Sequence, residues 1–120
     1  MPNALVVADD LTGTLDTGHG FATRGRGVTA RLLGGVTRHS RESKADTDSD
    51  VLAIDTDSRS VDPDDAVRIV RSVVDDIDAD VVYKKIDSTL RGNVVAEVDA
   101  ALDASGAAAG IVAPAFPEKG

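Results

Sequence analysis

The sequence predicts an α/β fold, a doubly wound, mostly parallel and Rossmann-like sheet, on two observations. Short runs rich in Val and Ile recur without polar alternation, as in strands covered on both faces. Segments with helical spacing separate most of them, so the order reads β-α-β-β-α-β-α-β and calls for crossover connections. The first strand is expected at Ala4 to Ala8, and a helix from about Gly13 to Arg24, stopped at Gly25 and Gly27. Val28 to Leu33 reads as the second strand and Val51 to Ile54 as the third. Between them Thr37 to Asp50 is polar and aperiodic, a surface loop or insertion. Asp62, Pro63, Asp64 and Asp65 make a helix start: a capping side chain, proline at the first helical position, and acids at the positive end of the dipole. Ala66, Val67, Ile69, Val70, Val73, Val74 and Ile77 supply its buried face. Val81 to Tyr83 is the fourth strand. A helix burying Val94, Val95, Val98, Ala101 and Leu102 follows and ends near Gly106, and Gly110 to Ala113 is a fifth strand. The sequence stops at Pro117-Glu118-Lys119-Gly120 with no closing helix, so residues 1–120 are expected to form one incomplete domain.

Composition narrows the function. A chain of 120 residues with 42% hydrophobic content has room for one core. Without cysteine it has neither disulfides nor thiolate chemistry. No apolar run approaches the ~20 residues of a membrane span, and Met1-Pro2-Asn3 does not open a signal peptide, so a cytoplasmic protein with no membrane partner is expected. The formal net charge of -8 disfavours nucleic acid as a partner. An Asp-rich, Lys-poor surface suits concentrated salt, and a halophilic source is expected. Lysine occurs only at positions 44, 84, 85 and 119, so the pair Lys84-Lys85, with Arg91 six residues on, concentrates positive charge against the acidic background.

Ligands of open α/β sheets bind beyond the carboxyl ends of the strands. Three polar clusters fall at such ends: Asp9 to Gly13 after the first strand, Asp55 to Arg59 after the third, and Lys84 to Asn93 after the fourth. Any one of them also suits a helix cap or a turn, and the lysines suit pairing with neighbouring aspartates. Together they suit an anion site, in which Lys84 and Lys85 point to opposite faces of their strand. Asp9, Asp10, Asp55 and Asp57 suit hydrogen bonds from hydroxyls, proton abstraction, or a divalent cation. Acids and bases in one site match a small polyhydroxy acid. His19 and His39 lack partners, so no metal site is expected. Gly25-Arg26-Gly27 and Gly34-Gly35 read as turns, and no Gly-x-x-x-x-Gly-Lys-Ser/Thr phosphate loop is present.

At these residues the sequence resembles the four-carbon acid sugar kinase family. The resemblance rests on Ala8-Asp9-Asp10-Leu11-Thr12-Gly13 with Asp16-Thr17-Gly18, on Asp55-Thr56-Asp57-Ser58-Arg59, on Tyr83 to Asn93, and on Ala113-Pro114-Ala115-Phe116-Pro117. It implies the amino-terminal, sugar-acid-binding part of an ATP-dependent kinase acting on erythronate, threonate or hydroxythreonate, either alone or as a homo-oligomer. ATP and Mg2+ would be held by a carboxy-terminal nucleotide-binding domain that this chain lacks, and the chain alone is expected not to turn over ATP. Asp9 and Asp10 are the implied catalytic candidates. Asp10, Arg59, Lys85, Asp87 and Arg91 carry over as substrate contacts, and Asp55, Ser58, Lys84, Ser88 and Gly92 of the same blocks complete the candidate binding set. Two rivals share parts of the pattern. A response-regulator receiver places paired acids after strand one and a phospho-accepting Asp, here Asp55, after strand three. A stand-alone sugar-acid-binding module would keep the site without the kinase half. The Asp55-Thr56-Asp57 triplet also fits the minimal pattern of haloacid dehalogenase-type phosphatases.

Overall fold

The computed structural model describes residues 2–33 and 49–114. Within them the apolar runs form β1 (Ala4–Ala8), β2 (Val28–Leu32), β3 (Val51–Asp55) and β4 (Val81–Lys85), and the periodic segments form α1 (Leu11–Ala22), α2 (Pro63–Asp76) and α3 (Val94–Ser105). The strands make one parallel sheet in the order β2-β3-β1-β4. Uninterrupted apolar sequence puts β1 and β3 at its centre, where every residue of both is buried, while the edge strands β2 and β4 are half-exposed. Alternate side chains of β1 and β3 serve opposite layers. Ala4, Val6, Val51 and Ala53 pack with Phe21 of α1 and Val28, whereas Leu5, Val7, Leu52 and Ile54 pack with Val70, Val73 and Val74 of α2 and with Ala100 and Ala101 of α3. The sheet is therefore covered on both faces, the doubly wound arrangement expected from the sequence.

The structure corrects the sequence reading at several points. Backbone pairing carries β4 on to Lys85 opposite Ala8 and β3 on to Asp55, so the lysines end a strand instead of following it. Helix α1 begins two residues early because Asp10 caps it, accepting a hydrogen bond from the Gly13 amide at 2.9 Å. Asp62 occupies the N-cap of α2 but makes no side-chain cap bond, which leaves that helix start to Pro63, Asp64 and Asp65. Helix α3 turns a different face inward: Glu97, Ala100 and Ala101 are buried, while Val95 is 75% exposed and Leu102 is exposed too. Small alanines let α3 lie close to α2, and a buried ion pair of Glu97, described below, fixes the rotation. Residues 110–113 form no strand, and Ile111 is 97% exposed. An apolar run becomes a strand only with a paired edge and a covering layer, and among the described residues it has neither. His39, Gly34-Gly35, most of the polar stretch from Thr37, and Ala115-Phe116-Pro117 lie outside the described residues. The strand order also removes the receiver reading. A receiver sheet sets β1 between β2 and β3, whereas here β1 lies between β3 and β4.

Candidate functional site

From β1 the chain moves over the α1 face toward β2, and from β3 it crosses on the other face, through α2, to β4. The winding thus reverses about β1, and a crevice opens beyond the carboxyl ends of β1, β3 and β4. A cleft of about 190 Å³ lies there. The end of β1 and the start of α1 contribute Asp9, Asp10, Thr12, Gly13 and Asp16; the loop after β3 contributes Arg59; the end of β4 and its loop contribute Lys85, Ile86, Asp87, Ser88 and Arg91.

Arg59 is the centre of this constellation. Its Nη2 lies 3.2 Å from Asp9 Oδ1, 3.2 Å from Asp10 Oδ2 and 3.1 Å from Asp87 Oδ1, and its Nε donates to Asp9 Oδ2 at 3.4 Å. One guanidinium thus ties together carboxylates from two strand ends, as its planar fork allows. The hydrogen bond with Asp9 raises the Arg59 pKa further above its ordinary value. Asp87 is held by more than Arg59. It receives Arg91 Nε at 2.9 Å and Nη2 at 2.8 Å, the Thr89 amide at 3.0 Å and the Arg91 amide at 3.2 Å. Led by the Arg91 bonds, these contacts hold the Asp87 carboxyl far below the usual carboxylate range. The loop closes through Leu90 and Gly92, both at positive φ. Gly92 has a second reason to be glycine: a Cβ there would meet Asp9 Oδ2 at 2.7 Å and Arg59 Cγ at 3.1 Å. Gly13 is likewise crowded, since its Cβ would lie 2.7 Å from the capping oxygen of Asp10.

Lys85 differs from its cationic neighbours. Its Nζ donates to the Ile86 carbonyl, and among the described residues it forms no ion pair. An ammonium with unused donors beside Asp10, Asp16 and Arg91 offers a carboxylate a ready partner, and the surrounding carboxylates accept hydrogen bonds from hydroxyls.

Of the residues singled out in the sequence, Asp9, Asp10, Arg59, Lys85, Asp87, Ser88 and Arg91 line this cleft, with Gly92 packed behind Asp9 and Arg59. Asp55, Ser58 and Lys84 do not line it. Lys84 turns to the other face of the sheet, as strand alternation requires, and its Nζ lies 3.3 Å from Glu97 Oε1. Ser58 is fully buried and donates to Glu97 Oε2 at 3.0 Å. Asp55 accepts the Asp57 amide at 2.8 Å across its own turn, and burial raises its pKa. Among the described residues no three His, Cys, Asp or Glu side chains are grouped as a metal site. Thr12 and Asp16 lie in the blocks that carry the resemblance but were not among the expected ligand contacts, although four residues apart on a helix capped by Asp10 they share one face. Glu97 had no signal in the sequence.

Comparison with known proteins finds similarity over almost the whole chain. Residues 4–120 match the family described as the sugar-binding N-terminal domain. The chain is 39% identical over 120 residues to a D-threonate kinase of Salmonella typhimurium, a match that covers 97% of this chain and 27% of that protein. It is 43% identical over 119 residues to a D-threonate kinase of Bordetella bronchiseptica, covering 96% and 29%, and 39% identical over 124 residues to a D-erythronate kinase of Heliobacterium modesticaldum, covering 100% and 27%. The chain therefore spans little more than a quarter of the length of these relatives. A crystal structure of a domain of unknown function from Bordetella bronchiseptica, a domain-swapped dimer with bound citrate, superposes with a TM-score of 0.75 at 39% identity, covering 86% of this chain and 26% of that one. The four blocks of the sequence, the reversal point of the sheet and a match over residues 4–120 converge, and the chain belongs to the family of sugar-binding N-terminal domains.

Proposed function

We propose that this domain holds a four-carbon sugar acid of the D-threonate or D-erythronate type for an ATP-dependent kinase. In that organisation residues 1–120 are the sugar-acid-binding part and a nucleotide-binding domain completes the enzyme. The observation that carries the reading is the convergence of Arg59, Lys85 and Arg91 with Asp9, Asp10, Asp16 and Asp87 in one cleft of about 190 Å³. That is smaller than the ~300–1,000 Å³ of sites for drug-sized ligands. Its mixed charge also suits one carboxylate among several hydroxyls better than a polyanion such as a nucleotide. The relatives named as D-threonate and D-erythronate kinases support the same substrate class.

Lys85 and Arg91 grip the substrate carboxylate, while Ser88 and the carboxylates accept or exchange hydrogen bonds with its hydroxyls. Asp10 is 30% exposed against 7% for Asp9, and its Oδ2 sits beside Arg59. It is therefore the carboxylate that a substrate hydroxyl reaches first and the one to accept its proton. Arg59 and Arg91 in this cleft are already matched by carboxylates, which suits the triphosphate of ATP poorly, so ATP with Mg2+ is assigned to the nucleotide-binding domain. A cytoplasmic, salt-adapted enzyme that associates with copies of itself completes the reading; the net charge of -8 and the dimeric relative support it.

Calorimetric titration of the chain with D-threonate and with D-erythronate in high salt tests the proposal. Saturable binding of at least one acid, abolished by Lys85→Ala, is expected. A folded protein that takes up no heat with either acid overturns it.

A further inference from the structure

Beneath the cleft lies a second polar cluster, centred on Glu97 in the first turn of α3. Glu97 is 1% exposed. Its Oε2 accepts the Ser58 hydroxyl at 3.0 Å, and its Oε1 faces the Lys84 ammonium at 3.3 Å without a hydrogen bond. Each contact leads to a strand end. Lys84 also donates to the Lys85 carbonyl at 2.8 Å, at the point where β4 passes into the loop of Asp87 and Arg91. Ser58 precedes Arg59, and its hydroxyl oxygen lies 2.6 Å from that of Thr56, which donates to the Ala8 carbonyl at 3.0 Å, immediately before Asp9. Asn93, at the N-cap of the same helix, donates to the Ser58 carbonyl at 3.2 Å and the Val61 carbonyl at 2.8 Å.

We propose that Glu97 is a positioning residue for the cleft, joining the ends of β1, β3 and β4 from below so that Arg59, Lys85 and Asp9 keep their relative places. A buried carboxylate this far from water persists only where partners compensate it. Its two partners adjoin Lys85 and Arg59, which enter the cleft from different strand ends. The carboxylate meets no ligand itself and acts through Lys84 and Ser58. Burial raises its pKa, and Lys84 and Ser58 oppose that rise without cancelling it. Because this inference extends the reading of the cleft as a sugar-acid site, its test carries a readout independent of ligand.

The test compares Glu97→Gln, Lys84→Met, their double variant and Ser58→Ala with the parent chain. The first readout is the Arg59 Nε–H resonance of the ligand-free protein, which reports the bond to Asp9; the second is calorimetric affinity for D-threonate. Glu97→Gln should shift the resonance and weaken binding by about tenfold or more, and the double variant should weaken it no further than Glu97→Gln alone. A folded Glu97→Gln protein with an unmoved Arg59 signal and parental affinity overturns the inference. Additive losses in the double variant overturn it as well, because they make the two residues independent. If Glu97→Gln does not fold, Ser58→Ala decides the matter on the same two readouts, since it removes one oxygen and leaves the β4 branch through Lys84 in place. If the parent chain binds neither four-carbon acid, the functional reading falls while the Arg59 resonance still judges Glu97.

Discussion

The rim cluster around Arg59 and the buried cluster around Glu97 use the same residue types and meet water differently. At the rim, Arg59 is 24% exposed and Arg91 65%, so each can trade a carboxylate partner for a ligand. Below it, Lys84 is 10% exposed and Glu97 1%, so neither can trade anything without leaving its partner buried and charged. The comparison teaches that adjacent lysines of identical chemistry are assigned opposite tasks by strand alternation alone: Lys85 faces the cleft and Lys84 the interior.

If that division holds, the largest loss of stability comes from below. Lys84→Met strands the Glu97 carboxylate and should cost about 3–5 kcal/mol in urea unfolding at neutral pH. The loss should shrink in acid. Glu97 already has a raised folded pKa, so its ionised form is the costly one above that value, and protonation at lower pH relieves the cost. Next is Gly92→Ala, which combines a positive φ with the clash against Asp9 and Arg59; about 1–3 kcal/mol of stability and most sugar-acid affinity should go together. Arg59→Lys keeps the charge and loses the fork, so calorimetry should show D-threonate affinity falling by about tenfold with the fold retained. The smallest change in stability is expected for Arg91→Ala, because the guanidinium is 65% exposed and Asp87 keeps Arg59 and two backbone amides as partners, although affinity should drop.

Acid titration separates the clusters by sign. Asp87 has a folded pKa below its unfolded one, so its contribution is complete above the ordinary Asp range and lost as pH falls through and below about 4. Unfolding curves for Asp87→Asn should therefore be flatter than the parent's in acid, whereas Glu97→Gln should remove a dependence of the opposite direction. Equal slopes in both variants would erase the distinction between rim and interior.

The sequence made the rim legible because ligand chemistry gathers at strand ends and the strands are marked by unbroken apolar runs. Asp9, Asp10, Arg59, Lys85, Asp87 and Arg91 could be placed together before any coordinates. The interior could not. Periodicity in α3 favours the bulky Val95 and Leu102, yet the helix is rotated to bury Glu97 against Lys84, a partner thirteen positions away on another layer. Pairing across layers leaves no trace in local spacing. The run at 110–113 failed for a related reason, since composition alone supplies neither a neighbouring edge nor a cover.

The central position of β1 has a consequence for how the protein is made. Ala4–Ala8 leave the ribosome ahead of both their neighbours, Val51–Asp55 and Val81–Lys85. This fully buried strand must therefore wait through the synthesis of about eighty more residues before both its flanks are covered, and pairings so distant in sequence close slowly. Until β4 arrives a nascent chain of this design carries an uncovered apolar strand, and the net charge of -8 opposes its association in that interval.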